Sequence, residues 1–173
     1  MNNAIRALGQ HYAARWLERL GGRVEGGRVL EVGCGRGVGV KIILERFGAA
    51  EVEALDLDPK MIERAQRRLA PFGPNQVRLS VGDITSLKAG NATFDAVFDF
   101  GAIHLEPNWR KAVAEVRRVL KPGGKFFFEW VTSGILRLPY PLVTEAFGRM
   151  EPPGPALLMG FVGDLVGVGR VMS

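Results

Sequence analysis

The sequence has one cysteine and two histidines, and this scarcity excludes several classes of protein. Since Cys34 has no second thiol to pair with, a small scaffold held together by internal disulfides is excluded. A zinc site would have to gather His11, His104 and carboxylates from distant parts of the chain, and no cluster has metal-ligand spacing. We therefore predict no metal. The lack of a disulfide framework also favours a cytoplasmic location.

Long apolar runs are missing as well. Residues 1–16 contain neither the apolar core nor the small-residue cleavage site of a signal peptide. The most apolar late stretch, residues 156–173, is interrupted by Asp164, Arg170 and several glycines, which a membrane span would not tolerate. We expect no membrane partner.

Positive charge is only slightly in excess, because the 173 residues include 23 Lys and Arg and 18 Asp and Glu. The basic residues fall mainly on two predicted helices, and solvated helix faces explain them better than a nucleic-acid surface. They include Arg64, Arg67 and Arg68 on one helix, and Arg110, Lys111, Arg117 and Arg118 on the other. Nucleic acid is a minority interpretation, and one domain is the default for this length.

Strand patterns alternate with helix patterns along most of the chain. Short apolar runs predict strands at 28–32, 51–57, 76–83, 94–101 and 125–130. Helical spacing of apolar residues predicts helices at 4–20, 38–48, 59–70 and 107–120. This alternation is typical of a doubly wound, mostly parallel sheet with helices on both faces. A ligand crevice is then expected at the carboxyl ends of the strands.

Four glycines occupy every second position after the first strand: Gly33, Gly35, Gly37 and Gly39. Such a turn lets a ligand approach bare backbone at the start of the next helix. A triphosphate loop is excluded, because no Gly-Lys-Ser or Gly-Lys-Thr follows the strand. The dinucleotide pattern GxGxxG fails in every frame, which disfavours NAD without excluding it.

The spacing ExGxGxG, formed by Glu31, Gly33, Gly35 and Gly37, closely resembles the first motif of class I S-adenosylmethionine-dependent methyltransferases. The resemblance extends over residues 28–130 and implies a three-layer Rossmann-like fold with strand order 3-2-1-4-5. It implies S-adenosylmethionine as the cofactor and S-adenosylhomocysteine as the product. It also places the loop, including Cys34, under the methionine part of the cofactor. Glu31 matches the acidic residue near the methionine amino group.

Further positions follow from the same resemblance. Asp56 at the end of the second strand matches the residue that binds both ribose hydroxyls, and Leu57 would pack on adenine. A carboxylate there suits any ribose, so chemistry alone leaves NAD open. Asp83 matches the residue that holds the adenine amine, and Ile84 would lend its amide and an apolar face. Asp83 alone would fit a turn equally well. Phe100 is the last predicted cofactor contact.

Residues 94–130 resemble the small-molecule branch, often described as type 11 methyltransferases. The chain has "DFGAIH" where many nucleic-acid methyltransferases carry an "NPPY"-type stretch, which favours a small-molecule acceptor. His104 is the best candidate for a general base, because its ordinary pKa suits proton removal near neutral pH. A packing or rim role for His104 is the stronger interpretation, and Asp99 lacks companions for a metal site.

The predicted single domain comprises an amino-terminal helix (1–27), a cofactor-binding core (28–130) and a short carboxyl-terminal segment (131–173). That segment predicts helices near 142–150 and 156–166 and at most a sixth strand at 169–173. The sheet edge is therefore expected to be incomplete, and an open edge favours a homodimer. Two other functions are kept as alternatives: a nucleotide-dependent oxidoreductase, and a non-catalytic cofactor-binding or assembly module.

Overall fold

The computed structural model describes residues 4–131 and 164–171, and strands alternate with helices there as predicted. A short 3₁₀ helix, Ile103–Leu105, follows the fourth strand. The remaining elements in chain order are α1 (Ala4–Gly21), β1 (Arg28–Val32), α2 (Val38–Phe47), β2 (Glu51–Asp56), α3 (Pro59–Leu69), β3 (Val77–Val81), β4 (Phe94–Phe100), α4 (Trp109–Val119), β5 (Leu120–Val131) and β6 (Asp164–Arg170).

The strands form one sheet in the order β3-β2-β1-β4-β5-β6. The first five strands are parallel, which confirms the predicted order 3-2-1-4-5 and the doubly wound class. Strand β6 runs antiparallel to β5 and forms the edge. Because β1 and β2 are neighbours and β1 also pairs with β4, the direction of winding changes at β1. The crevice expected at that switch point lies at the carboxyl end of β1.

Side chains of the central strands alternate between two apolar layers. Val29 of β1 packs in the layer that contains α1, α2 and α3, whereas Leu30 and Val32 pack in the layer that contains α4. A parallel strand that is buried on both faces is encoded by a nearly continuous apolar run, and this is why "RVLEV" predicts a strand. Glu31 therefore points to the α2 side, into the same layer as Val29.

Phenylalanines fix the position of α2 against the sheet. The ring of Phe98 on β4 stacks on Phe127 of β5 at a centroid distance of 4.3 Å. Phe47, at the end of α2, meets Phe98 edge to face at 4.7 Å. Packing of this kind contributes roughly 0.5–1.5 kcal/mol per aromatic pair beyond area burial. It anchors the helix whose first turn follows the glycine loop.

The carboxyl-terminal edge differs from the prediction. β5 begins at Leu120 rather than Lys125. Its register with β4 shifts between Phe94 and Ala96. The residues "KPGG", which were predicted to form a turn before the strand, therefore lie within β5 as an irregularity. The sixth strand covers 164–170 rather than 169–173. The helix predicted at 156–166 is therefore wrong at residues 164–166. Its remainder and the helix predicted at 142–150 lie outside the described residues.

The amino-terminal helix packs on one face of the sheet next to this edge. A Cβ at Gly21 of α1 would collide with the ring of Phe127 and touch Val168 of β6, so helix and sheet are in close contact there. Leu17 and Ala14 of α1 are fully buried in the same layer. None of the helices in the described ranges is long and apolar enough to cross a membrane.

Candidate functional site

The glycine loop, residues 33–37, connects β1 to α2 at the carboxyl edge of the sheet. Gly33 and Gly37 have φ values of 69° and 77°, in the left-handed region that favours glycine. A Cβ at Gly33 would collide with the Cβ of Ala102, and a Cβ at Gly37 would lie 2.7 Å from Leu69 Cδ1 of α3. The glycines thus let the loop lie directly against the β4–α4 connection on one side and α3 on the other.

Glu31 lies beneath this loop with 0% of its surface exposed. Within the part of the chain that the structure describes, neither carboxylate oxygen has a partner that meets hydrogen-bond geometry. Burial raises the pKa of Glu31 well above its ordinary value, and the charges of Asp99 and Asp56 raise it further, while the nearby Val40 amide opposes the shift. Gly39 in α2 makes room, because a Cβ there would collide with Glu31 Oε1. A buried carboxyl left without a partner is uncommon in native proteins.

Asp56, at the end of β2, connects the loop to the neighbouring strands. Its Oδ2 accepts a hydrogen bond from the Gly35 amide at 2.8 Å, and its Oδ1 accepts one from the Asp58 amide at 3.0 Å. Its backbone carbonyl accepts from the Gly82 amide at 3.1 Å, which ties the end of β2 to the end of β3. Each carboxylate oxygen can accept a second bond. Asp56 is therefore able to bind hydroxyl groups without releasing the loop.

Leu57 and Asp83 lie on the solvent side of this edge. Leu57 is 72% exposed, which is unusual for a large apolar side chain directly after a buried strand. Asp83 is exposed and its Oδ1 accepts from the Thr85 amide at 2.7 Å, a bond that lowers the pKa of Asp83. Ile84 is half-buried against the α4 layer. Asp58 caps α3 through the Lys60 amide at 2.8 Å, as its position before a proline predicts.

Two predicted contacts lie below the loop rather than on its surface. Cys34 is buried, and burial raises the pKa of its thiol far above neutrality, with Glu31 and Asp56 adding to the shift. The thiol is therefore neutral and unsuited to nucleophilic attack. Phe100 is 2% exposed, stacks on Phe98 at 5.8 Å and lies against Gly39. Little of its surface is available to a ligand.

Asp99 is a site residue whose role sequence reasoning missed. It is fully buried at the end of β4, and its Oδ1 accepts from the amides of Ala102 at 2.6 Å and Ile103 at 3.3 Å. These bonds form the 3₁₀ turn that carries His104, which is partly exposed. The signal was an aspartate two residues before Gly101, a pattern typical of turns in which an Asp side chain binds backbone amides.

The structure thus brings most of the predicted residues to one edge. The loop contacts Asp56 directly, Glu31 lies below it, and the turn before His104 touches it through Ala102. Asp83 is connected only through Gly82. No group of three or more Cys, His, Asp or Glu side chains in the described part of the chain is arranged to hold a metal ion.

Comparison with known proteins points in one direction. A family model described as a methyltransferase domain matches residues 29–124, more than half of the chain. A fatty-acid O-methyltransferase of Mycolicibacterium smegmatis is 40% identical over 105 residues, which are 61% of this chain and 37% of that protein. A malonyl-[acyl-carrier protein] O-methyltransferase of Halorhodospira halophila is 35% identical over 72% of this chain and 42% of its own length.

A solved structure of geranyl diphosphate methyltransferase in complex with S-adenosylmethionine is also similar, with 26% identity and a TM-score of 0.62. The match covers 70% of this chain and 48% of that one. The chain therefore spans less than half the length of each of these three proteins. The family model, at residues 29–124, includes the glycine loop and the carboxyl ends of β1 to β4.

Proposed function

The chain belongs to the methyltransferase-domain family, the class I S-adenosylmethionine-dependent methyltransferases, and from this we propose that it methylates a small-molecule acceptor. The observation that carries the proposal is the arrangement around the glycine loop. One carboxylate, Asp56, binds the loop and keeps free acceptor capacity, while a second, Glu31, lies below it without a partner. Both features suit a ligand with ribose hydroxyls and a cationic amino group.

The residues present fit S-adenosylmethionine. Asp56 would accept hydrogen bonds from the ribose hydroxyls through the lone pairs that the backbone amides leave free. Leu57 would cover the adenine ring, which would explain its exposure in the free protein. Asp83 would accept from the exocyclic amine, with Ile84 beside it. The glycine loop would hold the methionine part.

Glu31 would act on the methionine amino group through space, because it has no exposed surface for direct contact. A bound ammonium group favours the ionised form of a nearby carboxyl. Binding of the cofactor would therefore oppose the burial that raises the pKa of Glu31. We propose that Glu31 is a positioning residue. Cys34 and Phe100 would support the loop from below rather than touch the ligand.

When bound, S-adenosylmethionine supplies a methyl group that is already activated on a sulfonium. The protein then has to hold the acceptor in line and exclude water, which requires few reactive side chains. His104 could accept a proton from a hydroxyl acceptor, since its turn lies beside the loop and imidazole suits neutral pH. A carboxylate acceptor would not need it. Glu129, buried at the end of β5, would line the acceptor side.

The small-molecule acceptor is supported by the named relatives, two of which carry fatty-acid or malonyl substrates in their names. We propose a single domain in a cytoplasmic setting, with nucleic acid as a disfavoured acceptor. A homodimer through the sheet edge is a separate proposal. A single species of monomer mass in sedimentation at high protein concentration would contradict it.

Thermal unfolding with S-adenosylhomocysteine, S-adenosylmethionine and NAD tests the proposal on the wild type and on D56N. A ligand at about a hundred times its Kd stabilises the fold by roughly 2.7 kcal/mol, a measurable shift of Tm. We expect a shift with the first two ligands and its loss in D56N. The matched control is E53Q, which removes a carboxylate three residues earlier on β2 and should keep the shift.

A shift with NAD alone would replace the proposal with the oxidoreductase alternative, because NAD also carries a ribose for Asp56. No shift with any ligand would contradict cofactor binding. Binding of S-adenosylmethionine without methylation of any fatty, carboxylic or hydroxylated acceptor would instead favour a non-catalytic cofactor-binding module. In that case, the cofactor part of the proposal would stand and the enzymatic part would fail.

A further inference from the structure

A groove of about 380 Å³ beside the glycine loop is lined by four arginines: Arg36, Arg64, Arg67 and Arg68. We name it the arginine groove. Three of its residues belong to α3, where the sequence alone suggests a solvated basic face. Arg36 comes from the loop itself, between Gly35 and Gly37. The fold therefore brings a fourth guanidinium, distant in sequence, to a helix that already carries three.

The described part of the chain places no carboxylate against the arginine groove. Across residues 4–131 and 164–171, none of the four guanidinium groups lies within 4.0 Å of a carboxylate. Arg67 Nε donates a hydrogen bond to the Glu63 carbonyl at 3.3 Å. A second groove, near α1 and α2, provides the contrast, because Arg46 Nε there lies 2.8 Å from Glu18 Oε2.

Arg36 supplies a second, independent observation. Its Nε is buried and has no hydrogen-bond acceptor among the described residues. An arginine that served only solubility would keep this donor in water, because a buried donor without an acceptor destabilises the fold. Arg67 and Arg68 also complement the dipole at the carboxyl end of α3, but this does not account for Arg64 or Arg36. The donor points to a ligand that brings its own acceptor oxygens.

We propose that the arginine groove binds a phosphate ester or diphosphate group. Guanidinium groups match phosphate oxygens in paired hydrogen bonds, and such charge-assisted bonds are stronger than neutral ones. Several unpaired positive charges around one small groove suit a group with two or more negative charges better than a single carboxylate. The group could belong to a soluble phosphorylated molecule or to a phospholipid headgroup. The proposal does not depend on methyl transfer.

The first experiment is calorimetric titration of the full chain with inorganic pyrophosphate. We expect saturable binding that weakens as ionic strength rises from low to physiological values, because salt screens exposed charges. The double variant R64Q/R68Q should weaken it by about a hundredfold, roughly tenfold for each lost charged hydrogen bond. R36Q should weaken it by about tenfold through loss of the buried donor.

The matched control is R117Q, which removes an exposed arginine on α4, in the layer on the other face of the sheet. It should bind pyrophosphate as the wild type does. Folding of every variant is checked by its thermal transition, and S-adenosylhomocysteine binding should persist in R64Q/R68Q. Loss of pyrophosphate binding with retained S-adenosylhomocysteine binding would separate this site from the proposed cofactor site.

A second arm identifies the source of the phosphate. Co-sedimentation uses vesicles of phosphatidylcholine with and without phosphatidic acid. Capture by the acidic vesicles that pyrophosphate competes away and that R64Q/R68Q loses supports a headgroup in the groove, whereas pyrophosphate binding without capture supports a soluble ligand. Absence of both, or an equal loss of binding in R117Q and R64Q/R68Q, would overturn the proposal. Unchanged binding in R36Q would overturn the role of the buried donor.

Discussion

The two ends of the sheet use the same residue types in opposite ways. At the amino ends of the strands, acidic side chains have basic partners: Arg28 pairs with Glu53, Arg78 pairs with Glu51, and Lys121 Nζ lies 2.8 Å from Asp95 Oδ1. At the carboxyl ends, Asp56 and Asp99 accept hydrogen bonds from backbone amides, and neither oxygen of Glu31 has a partner of its own.

This difference distinguishes the amino ends of the strands, where charges are paired within the fold, from the carboxyl ends, where acceptor oxygens can bind a ligand. Cross-strand ion pairs such as Glu53 with Arg78, which are in register on β2 and β3, satisfy charges that would otherwise repel. Carboxylates that bind backbone amides keep spare lone pairs, so they can still accept a hydrogen bond from a ligand. Acidic side chains that bind backbone amides at the carboxyl ends of the strands therefore mark the crevice better than the number of acidic residues does.

The largest effect is expected from comparing the two ends of β4. D99A removes a buried acceptor of the Ala102 and Ile103 amides and should lower the free energy of unfolding by about 2–4 kcal/mol. D95A removes a half-exposed partner of Lys121 and an acceptor of the Arg28 amide, and should cost about 1–2 kcal/mol. Urea denaturation of both variants measures the difference. Equal losses would show that the two ends are energetically alike.

A second comparison concerns pH. The pKa of Glu31 is raised in the folded protein. As pH rises above the ordinary pKa of a glutamate, the unfolded chain therefore loses this proton before the folded protein does. Unfolding then becomes progressively easier up to the folded pKa. E31Q removes this contribution and should stabilise the free protein near neutral pH by about 1–3 kcal/mol, while weakening S-adenosylmethionine binding.

Urea denaturation across pH 5–8, the range where buried carboxyls commonly titrate, measures this effect. The stability of the wild type should decline more steeply than that of E31Q. E53Q is the matched control at the other end of the sheet: it keeps Glu31, so its stability should decline with pH as steeply as that of the wild type. A parallel pH dependence for the wild type and E31Q would exclude Glu31 as the origin.

The smallest effect is expected at the paired end. Arg78, whose side chain is 56% exposed, pairs with Glu51, and R78Q should change the free energy of unfolding by about 0–0.5 kcal/mol. This difference should vanish in concentrated NaCl, because exposed pairs are screened. Urea denaturation at two salt concentrations measures it. A loss above about 1 kcal/mol that persists in high salt would show that this end is also strongly coupled.

Most of the core could be predicted because each strand is a short apolar run bounded by glycine or a helix signal. β1 was predicted with both of its observed limits, and α2 within one residue. The position of β6 was predicted wrongly because two of the interior residues of "DLVGVGR" are glycines, which weaken a strand pattern. Its pairing with β5 depends on the partner strand and not on its own pattern.

The candidate site was predictable in position but less so in detail. Asp56 and the glycines follow from spacing, since the loop and the end of β2 must meet at the switch point. The burial of Phe100 and the missing partner of Glu31 depend on how α2 packs, which no local pattern encodes. The arginine groove required Arg36 to meet α3, a contact between residues almost thirty positions apart.

Residues 131 and 164 are register partners on neighbouring strands, although they lie far apart in the sequence. The entropy cost of bringing two such positions together grows only slowly with the length of chain between them. We therefore expect relatives with a longer or shorter sequence between these positions to keep the pairing of β5 with β6. This pair lies at the carboxyl end of β5, on the same edge of the sheet as the glycine loop, so sequence can vary next to the crevice while the sheet is unchanged.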